Sequence, residues 1–121
     1  MTGHLLTGNR LRIGVTTFAA VLLVLSAGTR TRADDAVSLS LVLKNHQFDP
    51  AEVHAPPGKQ IAIHVKNLNE IVSEFESSDL HFEKIVPVGS EVTVYVHPLQ
   101  PGRYNFYDDF HHATQGYLVV P

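Results

Sequence analysis

A two-residue rhythm of apolar side chains from Val37 to the C-terminus constrains this chain more than any other feature. Val37, Leu39, Leu41 and Leu43 alternate with Ser38 and Ser40. Ile61, Ile63 and Val65 alternate with Ala62, His64 and Lys66, and Val92, Val94 and Val96 alternate with Thr93, Tyr95 and His97. A period of two places one side of an extended chain in a core and the other in water. Shorter runs fit the same rule: Phe48–Val53 interrupted at Asp49-Pro50, Ser73–Glu76, Lys84–Val88, Tyr104–Tyr107 and Tyr117–Val120. Pro56-Pro57-Gly58, Gly89-Ser90 and Pro98–Gly102 punctuate them as turns. A helical period is confined to one possible turn near Ser77–Leu80. Seven or eight short strands at this spacing predict an all-β domain, a Greek-key β-sandwich.

One motif sharpens the topology. Leu99-Gln100-Pro101-Gly102-Arg103-Tyr104 has the form of a tyrosine corner, in which a Tyr hydroxyl bonds back to the preceding crossover. The plain alternative is a Pro-Gly turn followed by a core tyrosine.

The first third of the chain follows a different logic. Arg10 and Arg12 precede an uncharged run of 16 residues, Ile13 to Gly28; Arg30, Thr31, Arg32 and Ala33 follow. This order reads as a secretory signal peptide, residues 1–33, cut after Ala33. The rival reading is a membrane anchor, but the run is shorter than the ~20 residues a spanning helix needs. Cleavage leaves one domain, residues 34–121, with no stable membrane insertion. It removes four of nine basic residues and none of the twelve acids, so the charge becomes 5 − 12 = −7, with seven of eight His retained. Nucleic acid is excluded as a partner, because phosphate binding needs a basic face. Cations suit an acidic, His-rich surface. There is no cysteine, which excludes thiolate metal sites, redox dithiols and Cys nucleophiles. No Ser lies in a nucleophile-elbow context, so hydrolase chemistry finds no support.

Candidate ligands gather in two stretches. Glu74 and Glu76 flank Phe75, so on a strand both carboxylates share a face and repel unless a cation lies between them. The plain alternative is an edge strand with two solvated acids. Asp108, Asp109, His111 and His112 follow the strand ending at Tyr107, and are read as one short loop. Adjacent aspartates point apart, so one of the pair caps the loop or faces water. His81 and Glu83 follow the Glu pair and are weaker candidates, for a second metal position or its rim. Phe110 is expected to anchor the loop by burial. His46, His54, His64 and His97 are expected on outer strand faces.

Asn67 after a strand, the aromatic Phe75 in the next segment, Pro101-Gly102-x-Tyr104-x-Phe106-Tyr107, and Gly116-x-Leu118-Val119-Val120 together resemble the cupredoxin family, from His46 to Val120. In its blue copper members the ligands are His, Cys, His and Met. The resemblance puts the first His at or near Glu74, the Cys at Asp108 and the second His at His111, and the chain's one Met, Met1, lies in the signal. Thiolate copper chemistry is therefore not expected, and Glu, Asp and His favour a harder ion or non-blue Cu(II). The strings Ser73-Glu74-Phe75-Glu76-Ser77 and Asp108-Asp109-Phe110-His111 resemble the cupredoxin-like periplasmic proteins of bacterial iron uptake: the EfeO cupredoxin domain and the Ftr-type component. That likeness implies Glu74, Glu76, Asp108 and His111 as ligands of iron and/or copper, with Asp109, His81 and Glu83 behind them. It also implies a periplasmic location, assistance to ferrous iron uptake including iron oxidation, and an inner-membrane iron permease and sister periplasmic components as partners. The alternative is a copper carrier or electron-transfer cupredoxin without an iron role.

Overall fold

The computed structural model describes Gly3 and residues 36–121; the expected signal peptide falls outside these residues. Nine strands follow in order: β1 (Val37–Lys44), β2 (Gln47–Asp49), β3 (Glu52–His54), β4 (Ile61–Asn67), β5 (Ser73–Ser77), β6 (Phe82–Val86), β7 (Glu91–Val96), β8 (Gly102–Asp108) and β9 (His111–Val120). They form a four-stranded sheet, β2-β1-β4-β7, and a five-stranded sheet, β3-β9-β8-β5-β6. β1 pairs parallel with β4 and β3 with β9, while the remaining pairs are antiparallel. The predicted all-β sandwich is the fold observed. Among the described residues no helix is long and apolar enough to cross a membrane.

The rhythm of the sequence explains the layers. Leu41, Leu43, Ile61, Ile63, Val65, Val94 and Val96 line the inner face of the first sheet. Phe75, Phe106, Leu118 and Val120 line that of the second. Phe48 bridges them, with ring centroids 5.7 Å from Phe75 and 5.0 Å from Phe106. Gly116 lets this cluster close: a Cβ there would lie 2.1 Å from a ring carbon of Phe106. The tyrosine corner is present, since the Tyr104 hydroxyl donates to the Gln100 carbonyl at 2.7 Å.

Three boundaries differ from expectation. The Phe48–Val53 run is two strands in different sheets, because the chain changes layer at Pro50 and Ala51. β6 starts at Phe82 rather than Lys84. β9 starts at His111, so the expected ligand loop is a hairpin whose turn is Asp109-Phe110, with a register irregularity at Tyr107/Asp108. Asp108 and His111 are thus strand residues, and the alternation of the sheet decides where they point.

Candidate metal centre

Register sorts the predicted ligands onto two faces. On β5, Ser73, Phe75 and Ser77 are buried, while Glu74 and Glu76 face outward and are partly exposed. Across the hairpin to β6, Ser77 pairs with Phe82 and Glu76 with Glu83. Glu83 therefore joins the outer face, and one carboxylate oxygen from each of Glu74, Glu76 and Glu83 lies within 4.8 Å of the others. Like charges placed opposite each other across strands destabilise a sheet. The carboxyl of Glu74 is accordingly held above the usual range. Partial loss of water is the first cause, followed by the charges of Glu83, Asp109 and Glu76 and a hydrogen bond with Glu83. A cation among the three oxygens would reverse that penalty.

Two weaker candidates belong to the same face. The Asp109 amide donates to the Glu74 carbonyl at 2.9 Å, and its carboxylate accepts from His112 Nε2 at 3.0 Å. His81 sits in the β5–β6 turn with a left-handed φ of 58°. It lines a recess of about 250 Å³ with Glu76 and Glu83, which adds an imidazole beside two of the three carboxylates.

Asp108 lies on the opposite side of the sheet. It pairs with Phe75 on β5 and follows Phe106 in alternation, so its side chain turns inward and is 1% exposed. Its Oδ1 accepts from the Glu74 amide at 3.1 Å and the Phe110 amide at 3.0 Å. The second bond is an Asx turn, and the carboxylate ties the β8–β9 turn to the start of β5. His111, opposite Asp108, is also turned away from the outer acids. Its Nδ1 lies 2.9 Å from Thr114 Oγ1, and the Thr114 hydroxyl donates its only proton to the His46 carbonyl at 2.6 Å. Nδ1 must then carry the proton, which leaves Nε2 as the free lone pair. The ring stacks on His46 with centroids 4.3 Å apart.

The four expected ligands are therefore not one constellation. Glu74 and Glu76 come together with Glu83, with Asp109 and His81 alongside; Asp108 Oδ1 and His111 Nδ1 serve local hydrogen bonds on the other side of the sheet, and His111 keeps only its Nε2 lone pair free. Two placements differ further from the expectations, those of Phe110 and His46. Phe110 does not anchor its turn by burial but is 48% exposed. His46 lies in the turn between β1 and β2 rather than on a strand face, and its ring stacks on His111. Ser73, one residue before Glu74, is the inward-facing residue of this end of β5, fully buried with an unpartnered hydroxyl. The outward aim of Glu74 and Glu76 follows from the inward aim of Phe75 between them.

A family model described as a cupredoxin-like domain matches residues 15–120. A curated relative, the uncharacterized protein RP394 of Rickettsia prowazekii (strain Madrid E), is 34% identical over 106 residues, covering 85% of each chain. Among solved structures, the metal-binding domain of the Cu(I)-exporting ATPase CopA of Streptococcus pneumoniae superposes with a TM-score of 0.64 at 14% identity, over 73% of this chain and 88% of that one. Auracyanin A, a blue copper protein of Chloroflexus aurantiacus, gives 0.60 at 16% identity, over 71% and 99%. These structural likenesses establish the fold.

Proposed function

The chain belongs to the cupredoxin-like domain family, and from that premise we propose that it binds a hard metal cation in the bacterial periplasm and assists ferrous iron uptake. The observation that carries this reading is the convergence of Glu74, Glu76 and Glu83 within 4.8 Å on the outer face of the five-stranded sheet. Three carboxylates, with an imidazole beside two of them, suit Fe(II), Fe(III) or Mn(II), and non-blue Cu(II).

The residues present do not fit the thiolate copper centre of the blue members. There is no cysteine, and Asp108 holds the position after the Tyr-x-Phe-Tyr strand with an oxygen already committed to two amides. His111 Nδ1 is committed to Thr114. A copper carrier that relies on soft donors is thereby disfavoured.

Carboxylate donors stabilise Fe(III) over Fe(II), so iron held here is more easily oxidised by an external one-electron acceptor. The protein then passes iron to an inner-membrane permease, together with other periplasmic components of the same system. The test is anaerobic titration with Fe(II), Mn(II) and Cu(II), read by calorimetry and EPR. The expected outcome is saturable binding of Fe(II) and Mn(II), with a Cu(II) spectrum of oxygen and nitrogen donors and no intense blue band. Failure of all three ions to bind, or a blue band, would overturn the reading.

A further inference from the structure

A second polar cluster lies on the outer face of the four-stranded sheet, away from the carboxylates of the five-stranded one. His64 on β4 stands between Ser38 on β1 and Thr93 on β7. Its Nε2 lies 2.9 Å from Ser38 Oγ, and its Nδ1 lies 2.7 Å from Thr93 Oγ1. Both distances are those of good hydrogen bonds. Thr93 is the register partner of His64, but Ser38 is not; on β1 that partner is Ser40. The ring instead leans across Ala62, the partner of Ser38. Ala62 faces outward by alternation between Ile61 and Ile63, yet it is only 7% exposed, as expected of a methyl group beneath a ring. His64 is half-buried and Ser38 is exposed.

Each hydroxyl has one proton to give, so two arrangements satisfy both bonds. With the imidazole proton on Nδ1, Thr93 accepts it and Nε2 accepts the proton of Ser38. With the proton on Nε2, Ser38 accepts and Thr93 donates to Nδ1. The first arrangement is that of an activated nucleophile: a hydroxyl on a basic nitrogen, with the ring held by a third group. Exposure makes Ser38, and not the half-buried, β-branched Thr93, the hydroxyl that meets a reagent. The backbone adds a donor. The Val37 amide bonds to the Gln60 carbonyl on the β4 side. By alternation the Ser38 amide points to the other edge of β1, where β2 pairs only with Val42, Leu43 and Lys44. Among the described residues that amide lies outside both ladders of β1, beside its own hydroxyl, where an oxyanion would develop.

We propose that Ser38 is an acyl acceptor, with His64 as its general base and Thr93 as the residue that positions the base. The donor is a small activated ester or thioester, because an open sheet face gives a larger substrate little to grip. Ser38 Oγ bonds to the acyl carbon as its proton passes to His64 Nε2. The bond from that carbon to the leaving oxygen or sulfur then breaks, and the imidazolium returns the proton to the leaving group. The products are an ester on Ser38 and a free alcohol or thiol. No local string of the sequence signals this arrangement, since its three members come from three strands and meet only through the register of the sheet.

The inference does not depend on metal binding, and its test uses the full metal-free chain. The probe is p-nitrophenyl acetate, and the acetylated positions are mapped by mass spectrometry of peptides. Ser40, the next outward residue of β1, is the internal control, and this comparison needs no variant to fold. A positioned general base contributes about 10²–10⁴-fold, so even in an open site acetyl should enter Ser38 at least about tenfold faster than Ser40. His64→Gln can still bridge by hydrogen bonds but has no basic nitrogen, and should lower the Ser38 rate to that of Ser40 in a protein shown to be folded by circular dichroism. Thr93→Val should slow the labelling severalfold and Thr93→Ser should restore it, a rescue that a packing role for the threonine methyl would not give. Equal labelling of Ser38 and Ser40, acetyl resting on His64 itself, or undiminished labelling in folded His64→Gln would each overturn the proposal.

Discussion

Replacing Asp108 by alanine separates a structural carboxylate from a metal ligand. The side chain is 1% exposed, and its Oδ1 accepts amide protons from Glu74 and Phe110 at 3.1 and 3.0 Å. A hydrogen bond to a charged group contributes about 1.5–3 kcal/mol, and an amide left unpaired in the interior adds its own desolvation cost. Two such bonds amount to roughly 3–5 kcal/mol. In a domain of this size each kcal/mol moves the melting temperature by about 4–8 °C, so Asp108→Ala should lower it by more than ~12 °C. Asp108→Asn keeps an acceptor oxygen and should cost only about 1 kcal/mol. Urea unfolding followed by circular dichroism measures both, and hydrogen exchange at the Glu74 and Phe110 amides reports the bonds directly. If Asp108→Ala unfolds within about 0.5 kcal/mol of the parent, the carboxylate is not the clamp described here. Because Asp108 turns away from the outer acids, the folded Asn variant should bind metal as the parent does.

Other consequences are as direct. Gly116→Ala would drive a methyl group to 2.1 Å from the Phe106 ring and 3.0 Å from the Ala51 carbonyl, and should cost about 3 kcal/mol or more in thermal or urea unfolding. Glu83→Gln should stabilise the metal-free protein slightly, by removing a charge opposite Glu76, and should abolish the extra stability that Mn(II) confers; a melting series with and without the ion reads both. The raised Glu74 carboxyl gives a signed pH dependence. The folded state binds a proton that the unfolded chain has already released, so the stability of the metal-free protein should rise as pH falls from the folded value of Glu74 towards its ordinary 4.5. Glu74→Gln should flatten that interval in a pH series of urea midpoints.

Most of the architecture was legible because it follows from alternation. Phe75 pointing inward fixed Glu74 and Glu76 as outward neighbours, and the Pro-Gly-x-Tyr string marked the corner at Tyr104. The ends of strands were less legible. Nothing in the composition of Asp108-Asp109-Phe110-His111 distinguishes a loop from a two-residue hairpin turn, yet the hairpin turns Asp108 inward and makes its oxygen a backbone acceptor. Glu83 was underrated because its role depends on which residue of β6 faces Glu76. A hairpin that starts at Phe82 settles this; one that starts at Lys84 does not. The stacking of His46 on His111 joins residues far apart in the chain, and neither segment alone carries a signal for it.

The central claim is that the outer carboxylates hold the metal and the other side of the sheet, with Asp108 and His111, does not. Calorimetric titration of Mn(II) into the parent, Glu74→Gln with Glu83→Gln, and His111→Ala tests it most directly. The account predicts that the paired Gln variant remains folded and loses binding, while His111→Ala binds as the parent does. Undiminished affinity in the paired variant, or loss of binding in a folded His111→Ala protein, would contradict it.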